Sequence, residues 1–134
     1  MTSLIDIEGI AENYSEKLHA AGVGSVEALL EKGATPKGRE ELSEASGIGH
    51  AHVLKWVNHA DLFRINGVAG QYAELLEASG VDTVVELSHR NAENLTAKLA
   101  EVNEQKHLVR QVPGEDDVAR WVQEAKDLPR AVTY

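Results

Sequence analysis

The chain has no cysteine, and this absence removes several kinds of chemistry at once. Without cysteine there is no disulfide framework, no thiolate metal ligand and no cysteine nucleophile. Aromatic residues are also scarce, at 4% of 134 residues, so the two tryptophans are predicted to be core anchors. No segment approaches the roughly 20 apolar residues of a membrane span, and no basic, apolar targeting segment begins the chain. A cytoplasmic protein with no membrane association is therefore expected.

Positive charge is limited too. The chain has 13 Lys and Arg against 22 Asp and Glu, which gives a net charge of −9. Non-specific affinity for nucleic acid comes mainly from cations that neutralise phosphates. Any nucleic-acid-binding face is therefore expected to be small.

An internal repeat is the strongest feature that the sequence contains. Twelve residues between positions 4 and 29 recur 58 positions later, including Gly9 as Gly67 and Gly22 as Gly80. A repeat of this density predicts two copies of one folding unit. We place the first copy at 1–61 and the second at 62–134.

The repeat resumes near the end of each copy with a different spacing. Trp56 matches Trp121 at a separation of 65 rather than 58, so the second copy has gained seven residues. We predict this insertion near 102–114, which breaks helical periodicity and contains a Pro-Gly pair. The last residues, 129–134, are expected to be loosely held.

Helix start and stop signals are dense, and no segment alternates as a strand would. Ser25, Thr35, Thr83 and Asn91 each stand where a helix N-cap is expected. The predicted class is all-α, with two tandem repeats packed as one compact unit. The predicted helices cover about 11–21, 26–32, 36–45, 50–61, 69–79, a short segment after 83, 92–102 and 115–127.

Three turns have one form, an apolar residue between small residues just before a helix. They are Gly9-Ile10-Ala11, Gly47-Ile48-Gly49 and Gly67-Val68-Ala69. The apolar residue is predicted to enter the core, and the free N–H groups of the following helix could hold an anion. These turns resemble the hairpin of the helix-hairpin-helix superfamily, apolar-x-Gly-Ile-Gly, which grips a nucleic-acid phosphate through backbone N–H groups.

A wider resemblance covers essentially the whole chain. It rests on Ile7-Glu8-Gly9-Ile10, Tyr14-Ser15-Glu16-Lys17-Leu18, Ala20-Ala21-Gly22-Val23 and the Trp-Val pairs. This pattern is similar to an uncharacterised bacterial family of tandem helix-hairpin-helix units, domain of unknown function 4332. The resemblance implies the fold and carries no activity, because a fold does not define a function.

The main candidate anion site is the turn Gly47-Ile48-Gly49, which matches the superfamily hairpin in full. His50, His52 and Lys55 follow it and could add positive charge, and Lys37 and Arg39 could lie nearby. The alternative is that the small residues simply allow close packing of helices, and this alternative applies to every turn of this form.

The secondary candidate comprises Arg64, Asn66, Gly67, Val68 and Ala69, whose flanking residues are neutral or favourable to an anion. The first turn is the weakest of the three, since Glu8 and Glu12 beside it would repel a phosphate.

No set of residues indicates catalysis. His50, His52 and His59 are interpreted as surface residues rather than metal ligands, because their spacing suits no common metal site. Lys106, His107 and Arg110 form a local basic cluster that could contact an anion or a partner, and we interpret it as a solvated loop. We therefore expect no enzyme activity, no metal, no cofactor and no small-molecule substrate.

Two functional hypotheses remain. The first is a protein–protein adaptor or scaffold, in which the hairpins serve packing alone. The second is weak nucleic-acid binding through Gly47-Ile48-Gly49. The partner is accordingly an unidentified protein or a nucleic acid.

Overall fold

The protein is all-α. A computed structural model describes residues 2–134, and within that part of the chain there are eight α-helices, one 3-10 turn and no strand. The chain divides into two compact units. Unit 1 comprises residues 2–61 together with Ala131–Tyr134, and unit 2 comprises Leu62–Arg130. The assignment of these units to two repeats stays a prediction.

Unit 1 begins with a 3-10 turn and continues through four helices. The turn, Leu4–Asp6, packs on the first helix, and the third helix packs on both the first and the second. The close approach of Gly33 to Val57 places the end of the second helix against the fourth. The helices are α1 Glu12–Ala20, α2 Val26–Gly33, α3 Pro36–Ser46 and α4 His50–Leu62.

Unit 2 also contains four helices, around a core of buried Leu, Val, Ile and Trp side chains. The last helix packs on the two before it, and the first packs on the third. The helices are α5 Gly70–Ala78, α6 Val84–Ser88, α7 Ala92–Lys106 and α8 Glu115–Asp127.

Four helices start where side-chain caps were predicted. Ser25, Thr35, Thr83 and Asn91 each accept a hydrogen bond from the backbone N–H three residues ahead, at 3.0–3.2 Å. Each bond satisfies an N–H that has no acceptor inside its own helix. These short-range signals explain why the predicted helix starts agree closely with the structure.

The irregular stretch expected at 102–114 begins later, because α7 continues to Lys106. The irregular segment is therefore 107–114. Buried Asn103 fixes its start, since its side-chain amide donates to the Val109 carbonyl at 3.0 Å and accepts from the Val109 N–H at 2.9 Å. One polar side chain thus closes the loop onto the last turn of α7.

The expectation of a loose C-terminal segment was wrong. Val132 is only 2% exposed, and the Thr133 N–H donates to the Ala34 carbonyl at 2.8 Å. The Tyr134 hydroxyl donates to Asn58 at 2.9 Å. These contacts make the last four residues part of unit 1. The local sequence could not predict this, because the partners Ala34 and Asn58 lie far away along the chain.

Both tryptophans are core residues, as predicted. Trp56 is 2% exposed and Trp121 is 4% exposed. Among residues 2–134, none of the helices combines the length and the apolar character needed to cross a bilayer.

Candidate functional site

The three small–apolar–small turns have one backbone design. Their first glycines, Gly9, Gly47 and Gly67, have φ of +95°, +74° and +90°, which side-chain-bearing residues rarely adopt. The apolar residue that follows each glycine is at most 4% exposed. The prediction that this residue enters the core is confirmed at all three turns.

The turn at 47–49 joins α3 to α4. Gly47 ends α3 by donating its N–H to the Ser43 carbonyl at 2.9 Å. Ser43 then donates through its hydroxyl to the Ile48 carbonyl, and Ser46 accepts from the Ile48 N–H at 3.1 Å. Two serines of α3 therefore hold the turn, while Ile48 anchors it in the core.

The N-terminus of α4 faces solvent at this turn. Gly49 and His50 are exposed, and a Cβ atom on Gly49 would meet no other atom within 4 Å. The first turn of α4 contains no acidic residue. The first N–H groups of a helix have no acceptor within it and carry partial positive charge. This arrangement can accept an anion without competition from a neighbouring carboxylate in the same helical turn.

Aromatic packing constrains one of the two histidines. The His52 ring stacks on Trp56, with centroids 5.3 Å apart and planes 9° apart, and lies 5.8 Å from the Tyr14 ring. His50 is exposed, whereas Lys55 is half-buried and has an interaction within the protein. His50 is accordingly the side chain best placed to add charge at this turn.

Arg39 does not belong to this site, contrary to the expectation that it could lie nearby. It is 8% exposed, and its guanidinium donates to the carbonyls of Gly33, Ala34 and Thr133 at 2.7–3.2 Å. Its planar group therefore binds the C-terminal segment, a role that the local sequence did not suggest. Lys37 is exposed on α3.

The secondary candidate at 64–69 already holds a carboxylate. The Asn66 N–H donates to both carboxylate oxygens of Glu124, at 3.2 and 3.3 Å. Arg64 donates to the Pro129 carbonyl at 2.6 Å. Flanking residues looked favourable in the sequence, but Glu124 lies 58 positions away and was missed. It competes with any incoming anion at Gly67, Val68 and Ala69.

His59 is not a surface residue as interpreted from the sequence, because it is 0% exposed. Its position on α4 places it one turn beyond Trp56, on the apolar side of the helix. Lys106, His107 and Arg110 are exposed where α7 ends, as predicted.

The family model for a domain of unknown function (DUF4332) matches residues 8–128, and the chain belongs to that family. No curated protein and no solved structure has significant similarity to the chain.

Proposed function

We propose that this DUF4332 protein is a non-catalytic binding module that acts as a protein–protein adaptor or scaffold. The observation that carries the proposal is the surroundings of the three hairpin turns. All three bury their central apolar residue, and carboxylates stand beside two of them. Turns that pack a core and repel anions fit a scaffold better than a phosphate-binding protein. The net charge of −9 points the same way.

We further propose that the two units are tandem helix-hairpin-helix-like repeats. In support, Gly9 lies against Trp56 and Gly67 lies against Trp121, and in both pairs a Cβ atom added to the glycine would stand 3.3 Å from the indole nitrogen. Gly22 and Gly80 have φ of +91° and +94°. The residues that match in sequence thus have matching local geometry.

The second candidate function is weak nucleic-acid binding at Gly47-Ile48-Gly49. It is favoured by the exposed start of α4, which has no acid in its first turn, and by the exposed His50. A single site of this kind would contact few phosphates, so its affinity would be low and would depend only shallowly on salt.

Titration of labelled single- and double-stranded DNA and RNA at low salt separates the two functions. The wild type is compared with Gly49→Glu and with the uncharged control Gly49→Gln, since position 49 has room for either side chain. The adaptor proposal predicts no binding by any of the three proteins. Binding by the wild type and Gly49→Gln that Gly49→Glu abolishes would instead establish the nucleic-acid site.

A direct test of the adaptor proposal is cross-linking in the source cell, followed by nuclease digestion. We expect a protein cross-link of defined mass that survives digestion and persists in Gly49→Glu. Loss of that cross-link after nuclease digestion of the wild-type sample, and its absence from the Gly49→Glu sample, would contradict an adaptor role and indicate association through nucleic acid.

A further inference from the structure

A cavity of about 320 Å³ opens on the surface of unit 2, away from the hairpin turns. It lies where α5 and α6 end and α7 begins, and Ser79, Arg90, Asn91 and Lys98 are among its lining residues. The volume is at the lower end of the range for small-molecule sites. The cavity therefore has room for a small metabolite rather than for a single ion.

The polar groups around this cavity are suited to an anion. His89, Arg90 and Lys98 supply basic side chains, and Asn91 and Asn94 supply amides. No carboxylate lines the cavity among the described residues. Asn91 caps α7, a helix of 15 residues, so the N-terminus of α7 contributes partial positive charge at the cavity, which the C-terminal ends of α5 and α6 partly offset.

Ser79 provides a second and independent observation. It lines the cavity and is 5% exposed, yet its hydroxyl has no hydrogen-bond partner in the described part of the chain. Buried hydroxyl groups nearly always have a partner, so an orphaned one calls for an explanation. A hydroxyl beside amides and cations can donate to an oxyanion.

Carboxylates near the cavity offset part of its positive charge. Arg90 donates to Glu86 at 2.9 and 3.1 Å and to the Gly80 carbonyl at 2.9 Å, so Glu86 partly neutralises it. Lys98 is exposed, and no ion pair involves it within residues 2–134. Lys98 is thus the principal cation available to a ligand.

Unit 1 offers an internal comparison. A cavity of about 460 Å³ there is lined by Ala21, Glu31 and Lys32, which the 58-residue repeat matches to Ser79, His89 and Arg90. Unit 1 therefore has no hydroxyl at the first of these positions and a carboxylate at the second. Both units form a cavity, but of the two only the cavity of unit 2 combines a hydroxyl with basic side chains and lacks a carboxylate among its lining residues.

We propose that the cavity lined by Ser79, Asn91, Asn94 and Lys98 binds the phosphate group of a small phosphate monoester. Lys98 supplies the charge, and the two amides and the Ser79 hydroxyl supply donors. This site is separate from the proposed adaptor and nucleic-acid surfaces and does not depend on either.

The test is a set of three separate titrations of the ¹⁵N-labelled protein, with glycerol 3-phosphate, inorganic phosphate and glycerol. Changes in the amide chemical shifts report binding. We expect saturable shifts at residues 91–98 with both phosphates and none with glycerol. Lys98→Gln and Ser79→Ala should each weaken binding by about tenfold, the value of one good hydrogen bond or charge contact. The matched control, Lys32→Gln in unit 1, should leave the affinity unchanged.

Several outcomes would overturn the proposal. No saturable shift with either phosphate, or equal affinity in the folded Lys98→Gln and Ser79→Ala proteins, would reject the site. A phosphoserine peptide that binds when both small phosphates fail would assign the cavity to a protein ligand instead. The Gly49→Glu protein is expected to bind the phosphates with the same affinity as the wild type. That result would show that the phosphates do not bind at the Gly47-Ile48-Gly49 turn.

Discussion

Gly67 lies directly against the indole of Trp121: a Cβ atom on this glycine would stand 3.3 Å from Nε1. Gly9 has the same relationship to Trp56, also at 3.3 Å. Each tryptophan therefore rests on the turn that begins its own unit, at a place where the backbone has positive φ. Glycine is required at these positions both for its conformation and for its small size.

Gly9→Ala is expected to destabilise the protein more than Gly22→Ala does. Both glycines lie in unit 1 and have nearly equal φ, +95° and +91°, but a Cβ on Gly22 meets nothing within 4 Å. Backbone strain costs about 1–3 kcal/mol in either variant, and crowding of Trp56 should add about 1 kcal/mol or more in Gly9→Ala. Chemical denaturation measures the difference. Equal losses in the free energy of unfolding would show that the Trp56 indole moves aside without cost.

Trp56→Ala and Trp121→Ala should each reduce the free energy of unfolding by about 3–5 kcal/mol, because each removes a buried aromatic side chain. Ile5→Ala is the control, since Ile5 is 60% exposed and its loss should change stability by no more than about 0.5 kcal/mol. Denaturation midpoints followed by circular dichroism provide the measurement. A tryptophan whose replacement leaves the midpoint unchanged is not a core anchor.

Arg39→Met should destabilise unit 1 and release the C-terminal segment. The change leaves the carbonyls of Gly33 and Thr133 without this donor, and the buried Gly33 carbonyl accounts for most of an expected cost of about 1–3 kcal/mol. Amide hydrogen exchange of Thr133, whose N–H binds Ala34, should become faster. Arg120→Met is the control because its pair with Asp117 is exposed. Unchanged exchange at Thr133 would mean that Arg39 does not retain the segment.

Glu27→Gln should remove a pH-dependent contribution to stability. Hydrogen bonds from the Thr2 backbone N–H and hydroxyl, each 2.8 Å, lower the pKa of the Glu27 carboxyl below 4.5. A lowered folded-state pKa stabilises the native protein above the unfolded pKa, and that stability is lost as the pH falls through the folded value.

The stability gap between wild type and Glu27→Gln should therefore be largest at neutral pH and close below about pH 4.5. Denaturation midpoints between pH 3 and pH 7 measure it. Thr2→Ala, which keeps the backbone donor, should reproduce part of the effect. A gap that stays constant over this range would disprove the linkage.

The sequence alone predicts most of the local structure. Caps such as Ser25 and Asn91, and the stop at Gly22, act within one helical turn, so the residues beside them indicate where a helix begins or ends. Burial of the tryptophans and of Ile48 is predictable as well, because apolar side chains at helical or turn spacing must be removed from water.

Tertiary structure decided the features on which the candidate sites depend. Glu124 reaches Asn66 across 58 positions, and Arg39 reaches Thr133 across 94. No periodicity or local motif encodes such pairs, because they exist only after helices pack. The Ser79 cavity is of the same kind, since it forms from three helix ends. The sequence determined the helices and their apolar faces, whereas packing decided which polar groups meet and which turns stay open to a ligand.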